Sequence, residues 1–208
     1  MNTPNNTLPD TQSPNSSYSV TPLFPSLILR TTVPEYKELL PLAYEQRDQY
    51  DGLEASNMGG WHSPLQPIPE LLHQYMPFPK WGGVAWYMIN ANLQGNYSHT
   101  HPNNDWAGVL WLKVPRKHAA NLEFEHPDCF GQYNAMNSMA QYHPQVRDQY
   151  NYYPAWSFPP EEGQLLLFPA SIRHRVYFSQ STDDRVALSF NLALPIDGED
   201  NKIKGDIS

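Results

Sequence analysis

The sequence predicts a mostly β (α+β) chain, in which short antiparallel strands form a sandwich or jelly roll and N-terminal helices pack outside it. Three observations support this fold class. The segments with helical spacing come first, six segments with strand character follow from residue 82 onwards, and 21 prolines interrupt the 208 residues. Prolines break helices and suit short strands joined by turns. Helices followed by strands also lack the alternation that builds a parallel sheet.

The N-terminal part contains the predicted helices. Residues 21–33 are predicted to begin it as a strand. Residues 34–50 have apolar residues at helical spacing, and Pro34 suits the first turn of a helix. Residues 52–64 form a glycine-rich loop, and residues 67–76 are predicted to form a short helix.

The six later strands are predicted from runs of β-branched, aromatic and other apolar residues bounded by turn residues. Residues 127–153, rich in Tyr, Gln, Asn and Met, are predicted to contain one helix. The strands are predicted at residues 82–93, 106–114, 120–126, 164–170, 172–178 and 185–194.

Composition sets the class of protein. Hydrophobic residues make up 40% of the chain, enough for a core, and we expect one domain over residues 21–195. Residues 1–20 are rich in Asn, Ser, Thr and Pro and are predicted to be a disordered tail. Residues 196–208 are predicted to be a flexible C-terminal tail.

Charge and cysteine content narrow the expected partners and compartment. The net charge of −8 makes nucleic acid an unlikely partner. Residues 1–20 lack the basic and apolar regions of a secretory signal, and no run of about 18 apolar residues predicts a membrane span. The single cysteine, Cys129, excludes an intramolecular disulfide and a thiolate-rich metal cluster. We therefore expect a cytoplasmic protein.

The pair His99 and His101 is the first candidate for chemistry. Residues two apart on an extended chain lie on the same side of it, so both imidazoles could bind one metal ion. An isolated H-x-H is more often two exposed loop histidines. The metal interpretation therefore needs a third ligand and a pocket.

Two later strands supply the missing elements. In period-2 register, His174 shares a face with Ile172, Val176 and Phe178, and is the polar member of an inward face. Alone it could be a core histidine hydrogen-bonded to a carbonyl, but with the H-x-H it completes a set of three ligands. Arg185 and Ser189 alternate with apolar residues on the last strand. That face lies either in water or in a cavity, where a guanidinium binds a carboxylate through two hydrogen bonds.

These motifs together resemble the 2-oxoglutarate/Fe(II)-dependent oxygenase superfamily. They are H-x-H-P-N at 99–103, F-P-x-x-x-x-H at 168–174 and R-x-x-x-S-F-N at 185–191. More narrowly, the chain resembles a small family of 2-oxoglutarate (2OG)-Fe(II) oxygenases of marine bacteria and phages, which residues 56–63 and 163–174 also fit. The resemblance covers roughly residues 22–194.

The resemblance implies a fold, a cofactor and a reaction. The fold is a double-stranded β-helix, the cupin-like jelly roll of the superfamily. His99, His101 and His174 would bind Fe(II), and Arg185 would bind the distal carboxylate of 2OG with Ser189 as a helper. The expected reaction is hydroxylation of an unidentified small-molecule or peptide substrate, with decarboxylation of 2OG to succinate. No catalytic residue is expected beyond the metal ligands.

Two further residues are candidates for contact with 2OG. Asn90, on the strand before the H-x-H, could hydrogen-bond the cosubstrate or hold a ligand histidine, and a structural hydrogen bond is the alternative. Tyr97 could donate its hydroxyl to 2OG, or could simply pack.

The third metal ligand has alternatives, because most of the superfamily places a carboxylate where this chain has His101. Asp105 could bend back onto the metal. The pair His126 and Asp128 is a literal H-x-D, but Pro127 marks the end of a strand there.

Two rival functions remain at this point. One is a cupin-like three-histidine metalloenzyme that does not use 2OG, and the other is a non-catalytic jelly-roll binding or structural protein. The sequence leaves the oligomeric state open, with a homodimer among the options.

Overall fold

The structure is a computed structural model that describes residues 20–195. These residues divide into two compact units. The larger comprises residues 27–124 and 157–195, and the smaller comprises residues 20–26 and 125–156. The tails expected at 1–20 and 196–208 lie outside the described residues, except for residue 20. A single domain over residues 21–195 stays a prediction.

Two antiparallel sheets form most of the structure. The seven-stranded sheet has the order β1-β10-β7-β12-β5-β3, with β4 also paired to β5, and the five-stranded sheet has the order β2-β6-β11-β8-β9. Six strands lie in the first half of the chain: β1 (Leu29–Thr32), β2 (Asn57–Met58), β3 (Trp61–His62), β4 (Gln66–Pro67), β5 (Gly82–Asn90) and β6 (Gly95–His99). Six lie in the second half: β7 (Trp106–Lys113), β8 (Leu122–Glu125), β9 (Ala155–Phe158), β10 (Gln164–Pro169), β11 (His174–Val176) and β12 (Arg185–Ala193).

Strand β12 lies in the middle of the larger sheet, between β5 and β7. Leu188 stands opposite Tyr87 on β5 and Leu110 on β7, and all three side chains are fully or almost fully buried. Alternate residues of β12 point to opposite faces of the sheet. One face joins an apolar cluster, and the other faces the second sheet.

The N-terminal helices cover the apolar face of this sheet. They are the α-helix α1 (Leu40–Gln49) and two 3-10 helices, Pro34–Glu38 and Glu70–Tyr75. Their buried residues Ala43 and Leu72 belong to the same apolar cluster as Leu188. The predicted fold, a mostly antiparallel β structure with N-terminal helices packed outside, is confirmed.

The smaller unit contains α2 (Tyr133–Tyr142) and α3 (Pro144–Gln149), where the sequence predicted one helix. Pro144 separates them. Residues before a proline avoid helical backbone angles, and His143 has an extended φ of −138°. Met136 and Val146 are the buried residues of this pair of helices.

The sequence also missed strand β6. Its residues are Gly, Asn, Tyr, Ser and His, which show no apolar alternation, yet β6 pairs with both β2 and β11. β2 and β3 are short strands inside the predicted loop at 52–64. Among residues 20–195, no helix has the length and apolar character that crossing a bilayer requires.

Candidate functional site

Three histidines meet at the five-stranded sheet. His99 ends β6 and His174 begins β11, and these two residues stand opposite each other in the antiparallel pair. His101 follows two residues later, where its backbone N–H donates to the carbonyl of Ala170 at 2.9 Å. One ring nitrogen from each histidine lies within 4.8 Å of the other two. Within the described chain, this is the one group of three or more His, Cys, Asp or Glu side chains that could hold a metal ion.

Hydrogen bonds to the backbone orient two of the three rings. The Nδ1 atom of His99 lies 2.7 Å from the carbonyl oxygen of Tyr97, and Nδ1 of His174 lies 2.9 Å from that of Ile172. A carbonyl oxygen only accepts, so each Nδ1 carries the proton and each Nε2 keeps its lone pair. The Nε2 atoms of His101 and His174 are 3.2 Å apart. Lone pairs that converge in this way favour a cation between them.

The environment keeps these imidazoles neutral. Burial lowers the pKa of His99, while the nearby carbonyl of Tyr97 opposes that shift. Burial, with the neighbouring His174 and His99, lowers the pKa of His101 to about 3. Burial, followed by the proximity of His99, lowers the pKa of His174 to about 4. Neutral imidazole is the form that binds metal, so no proton has to be displaced near pH 7.

A cavity extends from these histidines to Arg185. The empty space in it is about 510 Å³ when the open mouth is counted. Arg185 and Ser189 line it from β12, and Ser56 and Asn96 contribute further polar atoms to its wall. The alternation predicted for β12 therefore places its polar face in a cavity, and not in water.

Arg185 is buried, and no acidic residue in the part of the chain that the structure describes pairs with it. Its side chain is 3% exposed, its Nε has no hydrogen-bond partner among the described residues, and burial lowers its pKa to about 10. A buried guanidinium without a counter-charge is costly unless a ligand supplies one. The arginine therefore fits an anionic ligand.

The other predicted residues take different places. Asn90 does not line the cavity, since its Nδ2 donates to Oδ1 of Asn96 at 3.1 Å, and Asn96 is the residue on the wall. A Cβ on Gly60 would lie 1.9 Å from Oδ1 of Asn90, so only glycine leaves room for this amide. Tyr97 is 61% exposed and is not a cavity residue. Its carbonyl, not its hydroxyl, contacts the site through His99.

The alternative metal ligands lie outside the histidine group. Asp105 accepts a hydrogen bond from the backbone N–H of Leu194 at 2.7 Å through its Oδ2. The ring of His126 accepts a hydrogen bond from the backbone N–H of Asp128 at 3.0 Å. His101 is therefore the residue that the structure brings to His99 and His174.

His62 is buried beside the site. Its ring stacks on Trp86, with centroids 5.4 Å apart and planes 7° apart, and Trp86 contacts the ring of His101 at 5.9 Å. Trp86 lines the cavity. Trp86 lies on the same face of β5 as Asn90, the residue that the sequence suggested for this site.

The residues present fit Fe(II) and 2OG. Three neutral imidazoles line the cavity and suit a divalent transition metal. Arg185, which lines the same cavity and has no acidic partner among the described residues, suits a carboxylate. A dicarboxylate that binds the metal at one end needs this kind of anchor at the other.

Comparisons with known proteins agree with this fit. Residues 84–191, just over half of the chain, match the model of a family described as "Putative 2OG-Fe(II) oxygenase". A search of curated proteins found no match.

Solved structures with a similar fold include enzymes of this kind. A prolyl-4-hydroxylase from Pseudomonas putida shares 12% identity at a TM-score of 0.56, over 82% of this chain and 94% of that one. A viral collagen prolyl hydroxylase from Paramecium Bursaria Chlorella virus-1, in complex with 2OG, shares 10% identity at a TM-score of 0.52. That match covers 80% of this chain and 96% of the viral one.

HygX from Streptomyces hygroscopicus, solved with nickel and 2OG bound, shares 8% identity at a TM-score of 0.51, over 81% of this chain and 83% of that one. At these identities the likeness establishes the fold, the double-stranded β-helix that the resemblance implied. The family match establishes the class, and it excludes the rival in which the jelly roll is non-catalytic. The chain belongs to the 2OG-Fe(II) oxygenase family, and it is an enzyme whose cofactors are Fe(II) and 2OG.

Proposed function

We propose that His99, His101 and His174 hold the iron and that Arg185 binds the distal carboxylate of 2OG, with Ser189 as a second donor. One observation supports this most directly. Three neutral imidazoles converge on the wall of a cavity, and the same cavity is lined by Arg185, which has no counter-charge among the described residues. Asn96 and Ser56 add polar atoms to the wall between the sheets.

The chain's own residues bind and orient the reactants. The backbone carbonyls of Tyr97 and Ile172 fix the rings of His99 and His174, so that their Nε2 atoms face the cavity. Apolar side chains, among them Val109, Leu122 and Phe168, exclude water from the rest of the wall. When bound, iron and 2OG supply oxygen activation, in which one oxygen atom enters the substrate and the other enters succinate, with release of CO₂.

The substrate that we propose is a small molecule or a peptide, and the proposed outcome is hydroxylation. The structural neighbours include prolyl hydroxylases and a structure of HygX with hygromycin B bound. The acidic balance of the chain, −8, disfavours nucleic acid as the substrate. With its single cysteine, the chain suits the cytoplasm.

Anaerobic titration tests the proposed ligands. The wild type should bind one Fe(II), and 2OG should then produce the visible charge-transfer band of an Fe(II)–2OG chelate. His174→Ala should abolish both, because it removes one of three ligands, while the control His73→Ala removes an exposed histidine and should change neither. Wild-type iron affinity in His174→Ala would overturn the ligand assignment.

A second measurement identifies the reaction. Succinate release should depend on 2OG and should rise when the correct substrate class is added to the iron-loaded enzyme. Turnover that is unaffected by leaving out 2OG would instead favour a three-histidine enzyme of the cupin type.

A further inference from the structure

The cavity contains no acidic side chain. Fifteen residues line it in the described part of the chain, and none is Asp or Glu. Arg185 is the one lining residue whose side chain is charged at all ordinary pH values. Histidine binds a metal as the neutral imidazole, so the three histidines add no charge to the metal-loaded cavity. The protein therefore supplies positive charge to this cavity and no negative charge.

A charge balance follows, resting on the proposed function. A divalent ion on three neutral imidazoles contributes +2, Arg185 contributes +1, and the 2OG dianion contributes −2. The net charge is +1. A carboxylate ligand in place of His101, as in the two-histidine-one-carboxylate site, would reduce it to zero. His101 thus leaves one positive charge uncompensated in a buried cavity, where such charges are costly.

Arg173 adds a second positive charge beside the histidines. It is exposed, and its Nη1 makes only a long contact of 3.4 Å to the carbonyl oxygen of Ser98. No described acid pairs with it, whereas Arg175, two residues along the same segment, pairs with Glu123 at 2.6 Å. Arg173 is not one of the residues that line the cavity, but the Ser98 carbonyl that it contacts belongs to the residue before His99, so the guanidinium lies beside the histidine group.

We infer that the primary substrate is an anion, and that its carboxylate or phosphate group binds beside the three histidines, next to Arg173. An anionic group at this place neutralises the charge that the missing carboxylate ligand leaves. It also gives Arg173 the anionic partner that residues 20–195 do not provide. The substitution of histidine for a carboxylate thereby becomes a determinant of substrate charge.

The test uses the full-length protein loaded with Co(II) and saturated with 2OG, so that no turnover is needed. Acetate and acetamide are matched probes of nearly equal shape, one charged and one neutral, and inorganic phosphate is a third probe. The visible Co(II) spectrum reports binding beside the metal. Acetate should perturb it at a concentration about tenfold lower than acetamide does, because a charged acceptor makes the stronger hydrogen bonds.

Two variants should reduce that preference. Arg173→Gln should reduce the ratio of the two concentrations by about fivefold, the size expected for an exposed ion pair. His101→Asp keeps three metal ligands and cancels the excess charge, so it should reduce the ratio further. Arg30→Gln is the matched control, because Arg30 is an exposed arginine on β1 and its loss changes the net charge by the same amount.

The outcomes separate this inference from the proposed function. A wild type that binds no Co(II), or whose spectrum does not respond to 2OG, contradicts the proposed function itself. If the wild type binds Co(II) and its spectrum responds to 2OG, three results contradict only the anionic substrate. They are a spectral change at equal concentrations of acetate and acetamide, no spectral change with any probe, and a preference for acetate that is unchanged in both variants. Displacement of 2OG by acetate also counts against it. Tighter binding of phosphate than of acetate would support the inference and identify the group as a phosphate.

Discussion

Ala187 and Leu188 are neighbours on β12, and they lie on opposite faces of the same sheet. Leu188 is fully buried in the apolar cluster that α1 and the 3-10 helices cover. Ala187 is almost as buried, but it lines the cavity between Arg185 and Ser189. Equal burial thus has two purposes in one strand. One face stabilises the fold, and the other keeps space for ligands.

The largest effect is expected from Leu188→Ala. It leaves a cavity opposite Tyr87 and Leu110, where packed side chains cannot fully collapse. The free energy of unfolding should fall by about 2–5 kcal/mol. Urea denaturation measures that loss, while the affinity for metal in the folded protein should stay at the wild-type value. A large loss of metal affinity with little loss of stability would show that the two faces are not separate.

Ala187→Leu should instead weaken the binding of 2OG. The longer side chain fills space on the cavity wall between Arg185 and Ser189, where Ala187 also belongs to a second apolar cluster. Overpacking strain costs about 1–3 kcal/mol. Where bound 2OG competes for the same space, this cost lowers the affinity for 2OG roughly ten- to hundredfold. Anaerobic 2OG titration of the iron-loaded variant measures this. Unchanged 2OG affinity would place the cosubstrate elsewhere.

Arg185→Met should change stability and 2OG affinity in opposite directions. Removing a buried guanidinium that has no acidic partner should stabilise the metal-free protein, by about 1–2 kcal/mol, because an apolar side chain avoids the cost of desolvating a charge. The same change should weaken 2OG. Urea denaturation without ligands and titration with 2OG together test this. If Arg185→Met is less stable than the wild type without ligands, Arg185 has a structural role.

The two faces of β12 also differ in how well the sequence predicts them. Val186, Leu188 and Phe190 alternate with polar or small residues, so their burial follows from a period of two. The same alternation is compatible with Arg185 and Ser189 lying in water or in a cavity. Only the position of β12 between β5 and β7, facing a second sheet, decides between these alternatives, and that is a property of the topology.

The meeting of the three histidines could be predicted because they stand in motifs. His99, His101 and His174 were placed together by the spacing and the resemblance, and the structure brings their ring nitrogens within 4.8 Å. Asn96 and Ser56 were not predicted. Both stand in polar segments with no apolar alternation, and their place on the cavity wall depends on the pairing of β2 with β6.

The smallest effect is expected at His62, whose ring packs against the cavity-lining residue Trp86. Its ring is buried against Trp86, and burial lowers its pKa below the ordinary value of 6.5. The unfolded chain therefore binds more protons than the folded one below about pH 6.5. The contribution of His62 to stability is complete above that pH. It is lost as the pH falls towards the lower pKa of the folded state.

His62→Phe isolates this contribution, since phenylalanine keeps a ring against Trp86 and does not titrate. Between pH 7.5 and pH 5.5, the wild type should lose more unfolding free energy than His62→Phe. The difference should not exceed about 1.4 kcal/mol per pH unit, the limit for one proton. Urea denaturation of both proteins without metal measures it. Parallel pH profiles would mean that the pKa of His62 is the same in the folded and the unfolded protein, so that burial against Trp86 does not lower it.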